Sequence, residues 1–157
     1  MMSKGFAEYP SSFGVVRVEY EDDQVTRLDF GIERDLVPGT PTLLTDQVCL
    51  ELDEYFAGRR RTFDFPLLLR GTEFQRKVWA ALLAIPYGET RSYREIAEAV
   101  GSPRAFRAVG MANHNNPVSI AVPCHRVIGS DGRLVGYGGG LPLKERLLEL
   151  ERKHKDG

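Results

Sequence analysis

The chain has 157 residues, of which 42% are hydrophobic and 27% charged, with a net charge of -1. That is ordinary globular composition with enough length for one or two small cores, and it excludes a disordered chain. No apolar run approaches the ~20 residues of a membrane span, and the opening MMSKGFAEYP does not resemble a signal peptide, so a cytoplasmic protein with no membrane association is expected.

Residues 13–19 (FGVVRVE) and 25–32 (VTRLDFGI) read as two strands, joined into a hairpin by the acidic turn Glu21-Asp22-Asp23. The stretch 42–57 reads as a helix: Leu43, Leu44, Val48, Leu52, Tyr55 and Phe56 recur near the 3.6-residue period, and Gly58 ends the pattern. Phe63 and Phe65 alternate with polar residues in a predicted short strand. Residues 1–69 thus form a small α/β domain, and Cys49, inside its helix, reads as an inert core thiol.

Residues 70–157 are expected to form a second domain, mainly helical. Thr72-Glu73-Phe74-Gln75 and Ser92-Tyr93-Arg94-Glu95 both have the form of a capping box, each opening a helix. Pro86 and Gly88 stop the first, and the second runs to about Val100. In Gly101-Ser102-Pro103, the glycine suits a helix end, Ser102 is predicted to cap the next helix, and Pro103 to occupy its first position. That next helix covers about Arg104 to His114. Two short helices joined by a glycine turn make a helix-turn-helix candidate, although many such hairpins bind nothing. Phe106 and Val109 are predicted to pack inward, leaving Ala105, Ala108 and Ala112 as a stripe of small residues beside Arg104 and Arg107. Alanine cannot hydrogen-bond base edges, so the stripe fits a tight helix contact or a narrow groove better than sequence readout. Residues 118–128 (VSIAVPCHRVI) form an apolar strand broken by Pro-Cys-His-Arg, and Pro142 opens a last helix.

Charge divides along the chain. Residues 1–69 hold 7 Lys+Arg against 13 Asp+Glu, and residues 70–157 hold 14 against 9, so the second domain is the better candidate to meet a polyanion. It also holds Cys124, which His125 follows directly. A free thiol near pKa ~8.5 is only a few per cent thiolate at neutral pH, so a nucleophilic cysteine needs a base, and the base needs an orienting carboxylate. Glu149 and Glu151 of the last helix both qualify. With two cysteines and no paired C-x-x-C spacing, no metal site is expected.

Pro123-Cys124-His125-Arg126-Val127 resembles the active-site signature of the methylated-DNA–protein-cysteine methyltransferases, also called O6-alkylguanine-DNA alkyltransferases. The resemblance extends over 70–154: GTEFQRKVW at 71–79, IPYGET and SY within 85–93, RAVG at 107–110, Asn116-Pro117, GYGGG at 136–140 and Lys144-Glu145. It implies a ribonuclease-H-like α/β domain at 1–69 and a helical domain at 70–157 with a winged-helix-like helix-turn-helix. It further implies irreversible transfer of an alkyl group from O6 of guanine, less readily O4 of thymine, to Cys124. His125 would deprotonate Cys124 through a water and Glu151 would orient His125. Tyr93 would protonate the departing base near N3, with Val127 and Gly138 completing the base pocket.

The target atom lies inside the duplex, so the base must be flipped out at a cost of a few kcal/mol. The resemblance makes Arg107 the residue that fills the vacated stack, with the alanine-lined helix in a minor groove ~6 Å wide. It offers Arg94, Ser102 and Ser130 as phosphate or backbone contacts and Asn116 as a structural hinge. The implied partner is double-stranded DNA bearing O6-alkylguanine, met by a monomer without a cofactor. Phe106 departs from the pattern, where a smaller residue is usual, and is expected to face the core. A non-reactive lesion sensor, a sequence-specific helix-turn-helix regulator and a turnover thiol hydrolase are the competing readings. Cys124 opposes the first, the alanine stripe the second, and a single transfer per molecule would oppose the third.

Overall fold

The computed structural model describes residues 3–132 and 140–156, which divide into two units: one of residues 3–69 with 117–119, the other of 70–116 with 120–132 and 140–156. In the first unit, β1 (Lys4–Tyr9), β2 (Val15–Glu21) and β3 (Gln24–Ile32) form an antiparallel sheet in the order β1-β2-β3. The strand period of two puts Val16, Val18 and Tyr20 on one buried face of β2. Asp22 makes the tight β2–β3 turn at φ 51°, a left-handed conformation that aspartate tolerates. Helix α1 (Leu43–Phe56) buries Val48, Leu52, Tyr55 and Phe56, and the Phe56 ring stacks on Phe13 at 4.4 Å. Each large apolar side chain buried this way contributes roughly 1.5–3 kcal/mol.

Three expectations for this unit are corrected. A third strand, β1, precedes the predicted hairpin; its buried positions are Ala7 and the carboxylate Glu8. Phe63 and Phe65 do not form a strand. Pro66 has no N–H to donate, and the segment makes only an isolated bridge at Leu67, through Val25 N to Pro66 O and Leu68 N to Val25 O, both at 2.9 Å. The two rings pack instead, Phe63 at 5.4 Å from Tyr55 and 5.5 Å from Phe65. Cys49 is half-buried rather than core, and burial beside Asp53 and Asp46 pushes its thiol up to about 11, which keeps it protonated.

The second unit contains α2 (Glu73–Leu83), β4 (Arg91–Ser92), α3 (Tyr93–Ala99), α4 (Phe106–His114), a 3-10 turn at Cys124–Arg126, β5 (Val127–Ile128) and α5 (Leu141–His154). Both predicted capping boxes form, Thr72 with Gln75 and Ser92 with Glu95. Strands β4 and β5 pair in parallel, Arg91 with Val127 and Ser92 with Ile128. The core gathers Val78, Trp79, Leu82, Val109 and Leu147, and the Trp79 indole donates to Ala112 O at 2.9 Å.

The turn between α3 and α4 differs from expectation. Ser102 does not cap α4, which starts at Phe106 after Ala105 with no side-chain cap. Ser102 N instead donates to Ala97 O at 2.9 Å and Gly101 N to Glu98 O at 3.0 Å, with Gly101 at φ 80°. This is the paired bonding of a Schellman motif: Ser102 ends α3 through its backbone rather than starting α4 through its hydroxyl. Phe106 does not face the core either; it is 43% exposed, because the first turn of α4 projects beyond the neighbours that cover Val109 and Ala112. The alanine stripe is split as well, with Ala108 exposed and Ala112 buried under Trp79.

Candidate active site

Pro123 ends the extended chain, and the next three residues wind into a 3-10 turn closed by Arg126 N to Pro123 O at 3.0 Å. Such a turn rotates successive side chains by about 120° rather than the 180° of a strand. Cys124 and His125, which a strand would point apart, are therefore both carried into the same unit's interior, where Cys124, His125 and Arg126 are all buried.

Helix α5 supplies the carboxylate. Residues Lys144, Leu147 and Glu151 fall at i, i+3 and i+7, one face of a helix, and all three are buried. Glu149 lies outside that face and pairs with Arg152 at the surface, so Glu151 is the partner of His125. His125 Nε2 lies 2.6 Å from Glu151 Oε2. Glu151 also accepts from Arg126 Nε at 2.8 Å, Arg126 Nη2 at 3.0 Å and Gly88 N at 3.1 Å. Arg126 Nη1 donates to Ile85 O at 2.7 Å, which fixes the guanidinium plane.

The charge states follow. Burial alone would raise the Glu151 pKa, but the hydrogen bonds and charges of His125 and Arg126 outweigh it and hold the carboxyl far below its usual range. Burial lowers His125, and the positive Arg126 and Lys144 push the same way against the attraction of Glu151. An ionised glutamate can only accept, so Nε2 carries the imidazole proton and Nδ1 is the basic nitrogen. Arg126 thus lets Glu151 stay charged without converting His125 to imidazolium.

Tyr93, the first residue of α3, is half-buried. Burial raises its pKa, the nearby Cys124 adds to this, and a hydrogen bond with the Asn113 side chain opposes it. Asn113 Nδ2 also donates to Cys124 O at 3.3 Å, and Asn116 Nδ2 to Val122 O at 2.8 Å, so two asparagines tie the end of α4 to the chain around Cys124. Lys144, fully buried, donates to Val127 O at 2.6 Å and lies 6.0 Å from the Tyr93 ring centroid. Burial lowers it to about 8, against the pull of Cys124.

The structure gathers Cys124, His125, Glu151, Tyr93 and Val127 in this one unit, with Asn116 bracing the approach to Cys124. Arg107, Arg94 and Ser130 are exposed, and Ser102 is half-buried. Gly138 lies outside the described residues. Sequence reasoning assigned no role to Arg126, Lys144 or Asn113. The signal for Lys144 was available: it sits three residues before Leu147 on the apolar stripe of α5. Among the described residues no group of His, Cys, Asp and Glu could hold a metal ion, and no helix is long and apolar enough to cross a membrane. A groove of about 1060 Å³ between α2 and α3, lined by Ala80, Ala81 and Ile96 among others, contains none of these groups.

Comparison with known proteins finds matches over both regions of the chain. The family model described as 6-O-methylguanine DNA methyltransferase, DNA binding domain, matches residues 73–153, and that described as 6-O-methylguanine DNA methyltransferase, ribonuclease-like domain, matches residues 6–69. The methylated-DNA–protein-cysteine methyltransferase of Mycolicibacterium paratuberculosis is 64% identical over 104 residues, 66% of this chain and 63% of that one. That of Methanosarcina barkeri is 58% identical over 104 residues, 66% of each. The match therefore spans just under two thirds of these relatives' length. The crystal structure of the Mycobacterium tuberculosis O6-methylguanine methyltransferase superposes with a TM-score of 0.86 at 44% identity, covering 98% of this chain and 94% of that one. The OGT of the same organism in complex with DNA gives 0.85 at 45% identity, covering 95% and 93%. With both of its regions matched by the family's own models, the chain belongs to the 6-O-methylguanine DNA methyltransferase family.

Proposed function

We propose that the protein repairs alkylated DNA by moving an alkyl group from O6 of guanine, and less readily from O4 of thymine, onto Cys124 in a single irreversible step. The observation that carries this is the buried 2.6 Å contact of His125 with Glu151, on the turn that also holds Cys124. It leaves a neutral imidazole beside the thiol. His125 Nδ1 takes the thiol proton through a water. The sulfur then attacks the alkyl carbon, forming the C–S bond as the C–O6 bond breaks, and the electron pair stays with the base. Tyr93 donates its phenolic proton near N3, so the base departs neutral. The thioether is stable, so each molecule acts once, and the reaction needs no cofactor because the damaged DNA is itself the donor.

Access to the base is assigned to α4 in the minor groove of the duplex. Exposed Arg107 replaces the flipped nucleotide, and Arg94, Ser102 and Ser130 meet the backbone. That a family relative has been crystallised in complex with DNA supports this partner.

A duplex carrying radiolabelled O6-methylguanine tests the reading. Label must move to the protein, plateau near one equivalent and disappear in Cys124→Ala. Product release continuing past that plateau would identify a hydrolase and overturn it. Arg107→Ala should slow repair of duplex more than reaction with free O6-benzylguanine; equal losses would remove the flipping role.

A further inference from the structure

The outward face of α4 is not the polar face that a solvated helix ordinarily carries. Its exposed residues are Phe106, Arg107, Ala108, Met111 and His114, and the Phe106 ring is the largest apolar group among them. Phe106 and Arg107 are the first two residues of the helix. Helical side chains lean toward the N-terminus of their helix, so those of a first turn reach past its end, with no earlier turn to lie on. The setting is also cationic. Arg104 is exposed just before the helix, and the chain from Ala99 to Asn116 holds no acidic residue. An apolar projection set among arginines, with no acid nearby, complements a surface of flat apolar groups edged by phosphates, which is a description of stacked bases in a nucleic-acid groove. The segment lies within the region matched by the family's DNA binding domain model.

With α4 in the minor groove, as proposed above, we infer that Phe106 is a wedge: its ring enters the base step beside the gap that Arg107 fills, and this makes repair depend on the bases flanking the lesion. Successive residues of a helix point about 100° apart, so the ring and the guanidinium cannot share one gap. Minor-groove proteins insert phenylalanine and other apolar side chains between base steps, which partly unstacks them and kinks the duplex. The cost of that deformation depends on sequence. Pyrimidine–purine steps such as TA open easily, whereas A-tracts are stiff. Arg107 therefore serves any lesion alike, and Phe106 adds a preference for lesions next to a flexible step without touching a base edge.

The test compares wild type, Phe106→Ala and Phe106→Leu. Single-turnover repair is measured on duplexes identical except for the step beside O6-methylguanine, TA in one and AA in the other, placed on each side in turn. Bending of undamaged duplex is read from energy transfer between dyes at its two ends. Wild type should bend the duplex and repair the TA context faster. Phe106→Ala should bind duplex about 10-fold more weakly, as loss of one base–aromatic stack does, bend it less and repair both contexts at one rate. Its loss on free O6-benzylguanine should be far smaller than its loss on duplex. Phe106→Leu, which keeps an apolar wedge, should retain part of the bend and of the preference. A Phe106→Ala variant with wild-type bend and context preference overturns the inference, and shows that the ring serves another partner. Equal losses on duplex and free base overturn it as well, because the ring would then act within the protein. Absence of label transfer from any duplex overturns the underlying reaction instead, and the bend of undamaged duplex still reports the wedge.

Discussion

Glu8 in the first unit and Glu151 in the second are buried carboxylates, each held by cationic side chains, but the company differs. Glu8 is gripped by Arg17 Nη1 at 2.9 Å, Arg34 Nη1 at 2.8 Å and Nη2 at 2.6 Å, and Val37 N at 2.9 Å. Both arginines reach solvent, their side chains 28% and 44% exposed. Neither can give up a proton, so near neutral pH the cluster has a single charge state and serves to join β1, β2 and the chain after β3. Glu151 has one arginine and one histidine, both buried. The arginine fixes its charge, and the histidine is the one partner whose protonation can change near neutral pH. Replacing one of two arginines by a histidine, and removing the water, separates a clamp from a device that can take up a proton.

Removing each carboxylate gives the largest expected effects. Glu151→Gln leaves Arg126 buried with part of its partner missing, a loss of about 3–5 kcal/mol, read as a lower urea midpoint. It also unseats the base, so alkyl transfer per folded molecule should fall on the order of 10²-fold. Glu8→Gln should cost less stability, because Arg17 and Arg34 can turn to water, and should leave transfer per folded molecule unchanged. A comparable rate loss in both variants would erase the distinction. Glu8 also has an acid signature. The hydrogen bond with Arg34 leads the causes that lower its pKa from 4.5 to about 2, against burial, so its contribution is complete above pH 4.5 and is lost as pH falls towards about 2. Glu8→Gln should flatten that limb of the stability curve.

Lys144 sharpens the comparison within the second unit, where its buried ammonium donates to the Val127 carbonyl at 2.6 Å. Burial lowers its pKa from 10.5 to about 8, so the folded state releases its proton first as pH rises. The unfolded chain then binds more protons, and wild-type stability should rise relative to Lys144→Met between pH about 8 and about 10.5. Denaturant titrations across that window measure the difference. A constant offset would mean that Lys144 is not held in the low-polarity setting its burial indicates.

What could be read from the residues follows from how locally each feature is written. The Pro-Cys-His-Arg run and the capping boxes at Thr72 and Ser92 are contiguous, so their chemistry is visible without a fold. Strand β1 was missed because KGFAEY acquires its meaning from pairing with β2, Ala7 against Val18. Between Glu149 and Glu151 the pattern alone left a choice. They lie two residues apart on a helix, which turns them about 200° from one another, and burial decides it. Asn113 and Lys144 were passed over because polar residues on apolar faces read as interruptions until their partners are known. Phe106 failed for the opposite reason: its place on the helical wheel is apolar, but the helix starts there and leaves it exposed.

The helix caps carry the same contrast at the smallest scale. Thr42 opens α1 in the first unit, its hydroxyl accepting from Thr45 N at 3.2 Å, while Thr45 Oγ1 accepts from Thr42 N at 2.8 Å. Ser92 opens α3 in the second unit through the equivalent pair with Glu95, at 3.0 and 2.9 Å. Thr42→Ala and Ser92→Ala should each cost about 1 kcal/mol of stability, a small shift in urea midpoint. Only Ser92 immediately precedes Tyr93, and it also pairs with Ile128 of β5, just past the Cys124 turn. Its backbone therefore links Tyr93 to the strand that follows the Cys124 turn, and loosening it moves one against the other. Ser92→Ala should slow alkyl transfer several-fold in single-turnover assays, whereas Thr42→Ala should leave the rate constant of folded protein untouched. Equal rates in the two variants would show that Tyr93 is not held in place by the helix start beneath it.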